Sequence, residues 1–216
     1  MHMIFRTLLL FWRAPRAGRR GTPLGHYDVG RLPMRTLPTD LDLNHHMNNG
    51  VYLSVLDLGR FDLLIRNGIW DILTGRGWYP VVVSETITFR KSLTLWQRFV
   101  VETRVSGYDE KAVFVEQRIV VDGDIYAQAV IRARFLKKRG GTVSVDELID
   151  AIGTVPPDLR LPEWQVRWGM DVALPSTSVP APSEWPGAGP GDPRGGALSP
   201  QEAVDGIAHR RPWAPD

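Results

Sequence analysis

The sequence predicts an α+β domain in which one long buried helix is wrapped by an antiparallel sheet. Residues 51–65 form an apolar run without proline whose apolar side chains occupy nearly every helical face, which is typical of a buried helix. From Pro80 onward the sequence is rich in β-branched residues and alternates with a period of two, which is typical of strands. The chain has 216 residues, of which 43% are hydrophobic, and this is enough for one domain with a real core.

The N-terminal segment is apolar and then basic. Its apolar stretch, residues 3–12, is interrupted by Arg6 and is shorter than the roughly 20 residues that span a bilayer. No small-residue cleavage site follows it, so a secretory signal matches poorly. Two interpretations remain. We favour a short helix that docks on the domain over an interfacial helix whose Trp12 and following arginines contact anionic headgroups.

The first strand and the long helix come next. A strand is expected within residues 27–37, where Pro33 restricts it to the edge of a sheet. The helix that follows has N-cap residues in Asn48 and Asn49, and Gly68 is placed to end it.

The rest of the chain is read from local signals. Asp122-Gly-Asp124 predicts a tight hairpin, and Ser144 with Glu147 forms a capping box for a short helix over residues 145–152. Strands are expected within residues 81–89, 96–105, 112–121 and 125–136. The predicted organisation is a basic and apolar segment with a linker at 1–25, the main domain at 26–140, a helix and tryptophan-containing packing segment at 141–172, and a disordered tail rich in Pro and Gly at 173–216.

Composition excludes several classes of function. The formal net charge of +2 does not indicate nucleic-acid binding. The absence of cysteine removes disulfides, thiolate metal sites and cysteine nucleophiles, and it fits a cytoplasmic location. The chain has no Gly-x-Ser-x-Gly elbow, no phosphate-binding glycine loop and no histidine spacing that suits a metal. We therefore expect no metal and no cofactor.

A polar loop immediately before the long helix carries the chemistry. It places a carboxylate, an amide and an imidazole, from Asp42, Asn44 and His46, beside a helix N-terminus. Free N–H groups and the positive end of the helix dipole polarise a carbonyl there. These groups suit general-base or nucleophilic attack on an acyl carbonyl, with the helix N-terminus as the oxyanion site.

The segment from Asp42 to Tyr52 resembles the active-site loop of hot-dog-fold thioesterases related to 4-hydroxybenzoyl-CoA thioesterase. The longer segment at residues 37–53 is most similar to the branch of this family that contains thioesterase superfamily member 6. The similarity covers residues 31–138. The resemblance implies a hot-dog fold and a homodimer or homotetramer whose active sites form between subunits. It also implies hydrolysis of acyl-CoA or acyl-carrier-protein thioesters in lipid metabolism.

The resemblance also assigns roles to residues. It makes Asp42 the general base or nucleophile, a role we favour over that of an Asx-turn acid. Asn44 and His46 match the Asp-x-Asn-x-His spacing of plant acyl-carrier-protein thioesterases, and water-positioning and purely structural roles stay open for both. The cysteine once proposed as nucleophile in the plant enzymes is missing here. Residues at the helix start that would form the oxyanion site are Asn49, Gly50 and Val51.

More distant residues are weaker candidates. Asp57 on the helix and Glu85 on a strand could support the site. For Asp57 we slightly prefer a helix acid that pairs with Arg60 or faces the dimer partner, and for Glu85 an exposed strand residue. Basic residues at strand ends that could contact coenzyme A phosphates, with a solvated basic rim as the commoner explanation, are Arg90, Lys91, Lys137 and Lys138.

The predicted activity is therefore hydrolysis of an acyl-CoA or acyl-carrier-protein thioester. One alternative is a hydratase or dehydratase of the same fold, whose Gly-Asp-x-Asn-Pro-x-His motif is not matched here. The other alternative is a non-catalytic acyl-CoA-binding or membrane-associated protein, in which the N-terminal segment makes peripheral membrane contact.

Overall fold

The computed structural model describes residues 4–12, 24–176 and 178–181. The chain divides into two compact units, Met1–Gly169 and Met170–Asp216. The predicted disorder of residues 173–216 falls mostly outside the described residues, and so does part of the predicted segment and linker at 1–25. Among the described residues, no helix is both long enough and apolar enough to cross a membrane.

The elements of the first unit follow the predicted order. The helices are α1 over residues 4–12, a 3₁₀ turn at Pro38–Asp40, α2 at Asn49–Arg66, α3 at Ile69–Gly75, α4 at Val145–Ile152 and α5 at Glu163–Asp171. The strands are β1 at Gly30–Arg35, β2 at Trp78–Phe89, β3 at Arg98–Tyr108, β4 at Val113–Val121, β5 at Asp124–Lys137 and β6 at Thr142–Val143.

The sheet is antiparallel throughout, in the order β1-β3-β4-β5-β2, with β6 paired to β5. Pro33 lies in β1 at one edge, as its missing N–H requires. The predicted hairpin joins β4 to β5, where Asp122 and Gly123 both have positive φ, 49° and 83°, as a type I′ turn demands. The six strands thus form one sheet, which packs against α2.

The helix α2 begins and ends where its sequence predicts. Asn48 is the N-cap and Asn49 is the first helical residue, while Gly68 follows the helix with φ 79°. Gly59 lets the helix lie directly against β3, because a Cβ there would stand 2.6 Å from Cγ1 of Val101. Burial on all faces was expected but is wrong for the single chain, since Asp57 is exposed and several other side chains are half-buried.

The predicted docking of the N-terminal helix is confirmed. Leu10 is buried against Leu58, and the Phe11 ring lies 5.8 Å from the ring of Phe61 and 5.4 Å from that of Trp70. The docked face thus comes from apolar side chains of α1 that pack on α2 and α3.

The segment after the sheet contacts both faces of the sheet. Leu148 and Ile152 of α4 pack with Ile69 and Leu73 of α3 on the side of α2, whereas α5 packs on the outer face. Ser144 and Glu147 form the predicted capping box of α4. On α5, the Trp168 ring lies 6.3 Å from the Phe114 ring, and Gln165 is buried with its Oε1 accepting from Ser106 Oγ at 2.9 Å. This leaves the opposite, helix-covered face of the sheet for the candidate site.

Candidate active site

The polar loop before α2 is a tight, hydrogen-bonded turn. Leu41 and Met47 form an isolated antiparallel bridge, and inside it the Asp42 N–H donates to the His46 carbonyl at 2.9 Å. The His45 N–H returns a bond to the Asp42 carbonyl at 3.1 Å, with His45 at φ 58°. The turn therefore fixes the backbone of Asp42 while the side chains of Asn44 and His46 stay exposed.

Asp42 is half-buried, and one of its two carboxylate oxygens accepts a hydrogen bond from a described residue. Its Oδ1 accepts from the Asn44 N–H at 2.8 Å, which is the contact of an Asx turn. Its Oδ2 makes no hydrogen bond within the part of the chain that the structure describes. One oxygen thus braces the loop, and the other is available to a ligand or water.

The loop is anchored at its base to the segment after β2. Met47 N–H donates to the Leu93 carbonyl and Asn48 N–H donates to the Asp40 carbonyl, both at 2.8 Å. The Tyr52 hydroxyl accepts from the Leu93 N–H at 3.1 Å, and burial raises the pKa of this hydroxyl, so it stays protonated at neutral pH. The base of the loop is therefore fixed to the fold even though its tip is open.

A buried ion pair lies directly beneath the loop. Asp40 is fully buried, and its Oδ2 accepts from Arg6 Nη2 of α1 and from the Leu37 N–H, each at 2.8 Å. This pair was not predicted from the sequence. The signal was present, because Arg6 is the one charged residue inside the apolar stretch at residues 3–12.

The N-terminus of α2 is open to solvent but partly capped. Asn48 Oδ1 accepts from the Gly50 N–H at 2.9 Å, and the Asn48 carbonyl accepts from the Val51 N–H at 2.9 Å. The Asn49 N–H makes no hydrogen bond to any described residue. Of the three predicted oxyanion donors, the Asn49 N–H is therefore the one that is available without rearrangement.

The two supporting carboxylates occupy different positions. Asp57 is more than half exposed and is paired with Arg60, which also donates to Gln117 Oε1 at 2.6 Å. Asp57 is seven residues beyond Gly50, or about 10 Å along the helix axis. The ion pair of Asp57 with Arg60 is the role that we preferred, from the sequence, over support of the site.

Glu85 is exposed on the edge strand β2, opposite Ile131 of β5. Because directly paired residues share a face, Glu85 lies on the same side as Ile131, which packs in the core with α2. Glu85 makes no ion pair with any described residue.

The four basic candidates do not form one cluster. Arg90 and Lys91 both pair with Asp124, and Lys91 lowers the pKa of that carboxyl. The backbone N–H groups of Arg90 and Lys91 both donate to the Tyr126 carbonyl, near the start of β5. This end of the sheet adjoins the loop, since Leu93 bonds Met47.

Lys137 and Lys138 lie at the opposite end of β5. Lys137 pairs with Glu147 of α4 at 2.8 Å. Lys137 is eleven positions beyond Tyr126, which is about 36 Å along the strand. Lys137 and Lys138 therefore lie far from the candidate loop of their own chain. The phosphates of one coenzyme A do not span that distance.

An apolar cavity of about 120 Å³ lies beside the second half of α2. Phe61 and Leu64 of the helix and Val81 and Phe135 of the sheet line it, with Asp57 and Arg60 among its polar residues. Phe61 is about 16 Å along the helix from Gly50. Loop and cavity are therefore at opposite ends of α2 within one chain.

Comparisons with known proteins agree with this architecture. A family model described as the thioesterase-like superfamily matches residues 36–175. Protein THEM6 of Xenopus laevis is 41% identical over 98 residues, covering 45% of this chain and 47% of that protein. Protein THEM6 of Danio rerio is 35% identical over 115 residues, covering 53% of this chain and 57% of that protein. The chain thus spans about half the length of the curated relatives it matches.

Solved structures establish the fold. The probable thioesterase YbaW of Escherichia coli superposes with a TM-score of 0.53 at 22% identity, covering 56% of this chain and 95% of that one. This likeness confirms the predicted α+β hot-dog fold, in which the antiparallel sheet curls around a long helix.

Proposed function

We propose that this chain, which belongs to the thioesterase-like superfamily, hydrolyses acyl thioesters of coenzyme A or acyl carrier protein with Asp42 as general base or nucleophile. The main support is the position of Asp42. It lies in a turn whose base is bonded to Leu93 and to the N-cap of α2, and one of its oxygens makes no bond among the described residues. A carboxylate held rigidly by its backbone, with an oxygen available, suits attack or proton abstraction.

The thioester carbonyl would accept first from the Asn49 N–H. The Gly50 N–H becomes a second donor when the Asn48 side chain turns away, whereas the Val51 N–H is already held by the Asn48 carbonyl. In the general-base route, Asp42 takes a proton from water, hydroxide adds to the carbonyl, and the thiolate leaves and takes up that proton. In the nucleophilic route, Asp42 attacks the carbonyl and displaces the thiolate to form an acyl anhydride. Water then hydrolyses the anhydride to the free acid and the Asp42 carboxylate, and the proton released goes to the thiolate. Asn44 and His46, exposed on the same turn, would position the water.

A second copy of the chain would complete the site. The outer edge of β2 pairs with no described strand, and its Val82 and Val83 are 41% and 44% exposed. Two β2 edges pairing antiparallel would bring the Phe89 end of one protomer, beside its loop, to the Trp78 end of the other. That end adjoins the cavity, so the loop of one protomer would face the acyl pocket of its partner, with Glu85 nearby.

Coenzyme A phosphates would contact Arg90 and Lys91 at the loop end of the sheet. These side chains are about half exposed and share one carboxylate, Asp124, so they retain positive charge for a phosphate. The distance of Lys137 and Lys138 from the loop leaves them a role only toward a neighbouring protomer.

A thiol-release assay across acyl-CoAs of increasing length tests the function. We expect turnover by the wild type and a fall in kcat of about 100-fold or more for Asp42→Asn, the usual size of a lost general base. Asp150→Asn is the matched control, because its carboxylate is exposed on α4 outside the loop and the cavity lining, and it should retain most of the activity.

Full turnover by Asp42→Asn would remove Asp42 from the mechanism. Tight binding of acyl-CoA by the wild type without release of thiol would instead favour a non-catalytic binding protein.

A further inference from the structure

The helix α1 presents two apolar faces, and the domain covers only one of them. Arg6, Leu10 and Phe11 face inward, where they contact Asp40, Leu58 and the Phe61 ring. Other side chains of the same helix face outward and are largely exposed, namely Ile4 at 65%, Phe5 at 69%, Leu8 at 64% and Trp12 at 59%.

The exposed side chains form one stripe. Ile4, Leu8 and Trp12 are spaced by four residues and so lie above one another on the helix surface, with Phe5 beside Ile4. A single exposed leucine is ordinary, but a continuous apolar stripe ending in an aromatic residue is typical of a surface with a partner. Docking on the domain does not account for this stripe, because it lies on the opposite side of the helix.

The positive charge of the N-terminal sequence favours a partner surface with negative charge. The first 27 residues contain five arginines, at positions 6, 13, 16, 19 and 20, and no aspartate or glutamate. Arg6 is already paired with Asp40, which leaves four positive charges close behind Trp12 in the sequence. Apolar and aromatic side chains followed by arginines are the pattern of a helix at an anionic lipid surface.

We propose that the outer face of α1 docks on a lipid surface that carries negative charge. Ile4, Phe5 and Leu8 would enter the boundary between headgroups and acyl chains, and Trp12 would lie at headgroup level. The positive charge of the sequence that follows favours an anionic surface. A second copy of the chain fits this face less well, because self-association would bring two like-charged segments together.

The docked face gives this contact a structural consequence. Because α1 is joined to the domain by the buried Arg6–Asp40 pair and by ring packing, the bilayer would hold the domain itself and not a detached segment. Asp40 is two residues before Asp42, so the lipid-bound helix would be bonded directly to the base of the candidate loop. Lipid docking does not depend on whether the chain hydrolyses thioesters.

Vesicle sedimentation with the full chain tests the proposal. We expect binding to vesicles of phosphatidylcholine with 30% phosphatidylserine, weak binding to pure phosphatidylcholine, and loss of binding at high salt. The triple variant Ile4→Ser, Leu8→Ser, Trp12→Ser should bind at least about tenfold more weakly, because its apolar stripe is gone. Its melting temperature should match the wild type, since these side chains are mostly exposed.

A matched control replaces three apolar side chains that are exposed elsewhere, Met170→Ser, Leu174→Ser and Val179→Ser, whose exposures are 72%, 87% and 55%. This variant should bind vesicles like the wild type. Equal binding by the α1 variant would overturn the proposal. So would a wild type that fails to bind vesicles and instead forms an oligomer in their absence that the α1 variant abolishes.

Discussion

Asp40 and Asp42 are two residues apart and have opposite surroundings. Asp40 is fully buried, and one of its oxygens is bonded to both Arg6 and the Leu37 N–H. Asp42 is half-buried at the start of an exposed turn, and among the described residues it is bonded only through Oδ1, to the Asn44 N–H. Two aspartates of one loop therefore have different physical roles.

The difference shows how the fold separates stability from chemistry. A buried carboxylate with a charged partner is costly to disturb, and this one holds the loop to α1 and to the Leu37 backbone. A carboxylate with an unbonded oxygen contributes little to folding but remains available to a substrate. Substitutions that change stability should therefore differ from those that change activity.

The largest expected effect on stability is that of Asp40→Asn. The substitution leaves the Arg6 guanidinium, whose side chain is 10% exposed, without its carboxylate partner. We expect the free energy of unfolding to fall by about 3–5 kcal/mol, the usual cost of breaking a buried pair. Urea denaturation measures this. Asp42→Asn is the control and should change the same quantity by less than about 0.5 kcal/mol. Equal losses in the two variants would abolish the distinction between these aspartates.

A smaller effect is expected when both partners of the buried pair are replaced. Arg6→Met removes the charge that faces Asp40 but keeps an apolar side chain of similar length in α1. In the double variant Arg6→Met, Asp40→Asn no buried charge is left unpaired, so its loss of stability should be smaller than the sum of the single losses by about 1–3 kcal/mol. A double-mutant cycle in urea measures this coupling. Additive losses would show that the two side chains act independently.

The comparison also shows what the sequence could reveal. The N-cap at Asn48, the hairpin at Gly123 and the capping box at Ser144 were predictable because each depends on residues within four positions. Pro33 likewise predicted its own edge strand. Local chemistry determines these features, and tertiary contacts do not change them.

Features that depend on tertiary contacts were not predictable. The Arg6–Asp40 pair joins residues that are 34 positions apart. Arg90 and Lys137 looked alike in the sequence, but the length of β5 puts them at opposite ends of the sheet. The wholly buried α2 was inferred from composition, which does not distinguish burial in one chain from burial by a partner.

A modest effect is expected at the N-cap of α2. Asn48→Ala removes the side-chain oxygen that accepts from the Gly50 N–H, so the free energy of unfolding should fall by about 1 kcal/mol. The same change frees that N–H, and kcat should not fall with stability. Asn49→Ala is the matched control, because the Asn49 side chain bonds no described residue, and it should change neither quantity. A loss of kcat parallel to that of Asp42→Asn would give the Asn48 side chain a direct role in the reaction.

The smallest effect concerns a third aspartate, Asp62 of α2. It is buried like Asp40, and its partner among the described residues is the half-buried Arg66. Burial raises the pKa of the Asp62 carboxyl, and the hydrogen bond and charge of Arg66 offset this only in part. The folded chain therefore binds this proton more tightly than the unfolded chain does. The stabilisation that comes from the proton is fully present below the unfolded pKa and is lost as the pH rises through the folded pKa. Asp62→Asn should accordingly raise Tm slightly at pH 7, with a gain that fades as the pH falls toward about 4. Calorimetry across this range measures the gain in Tm. A difference in Tm that stays constant with pH would assign the effect to packing and not to the carboxyl charge.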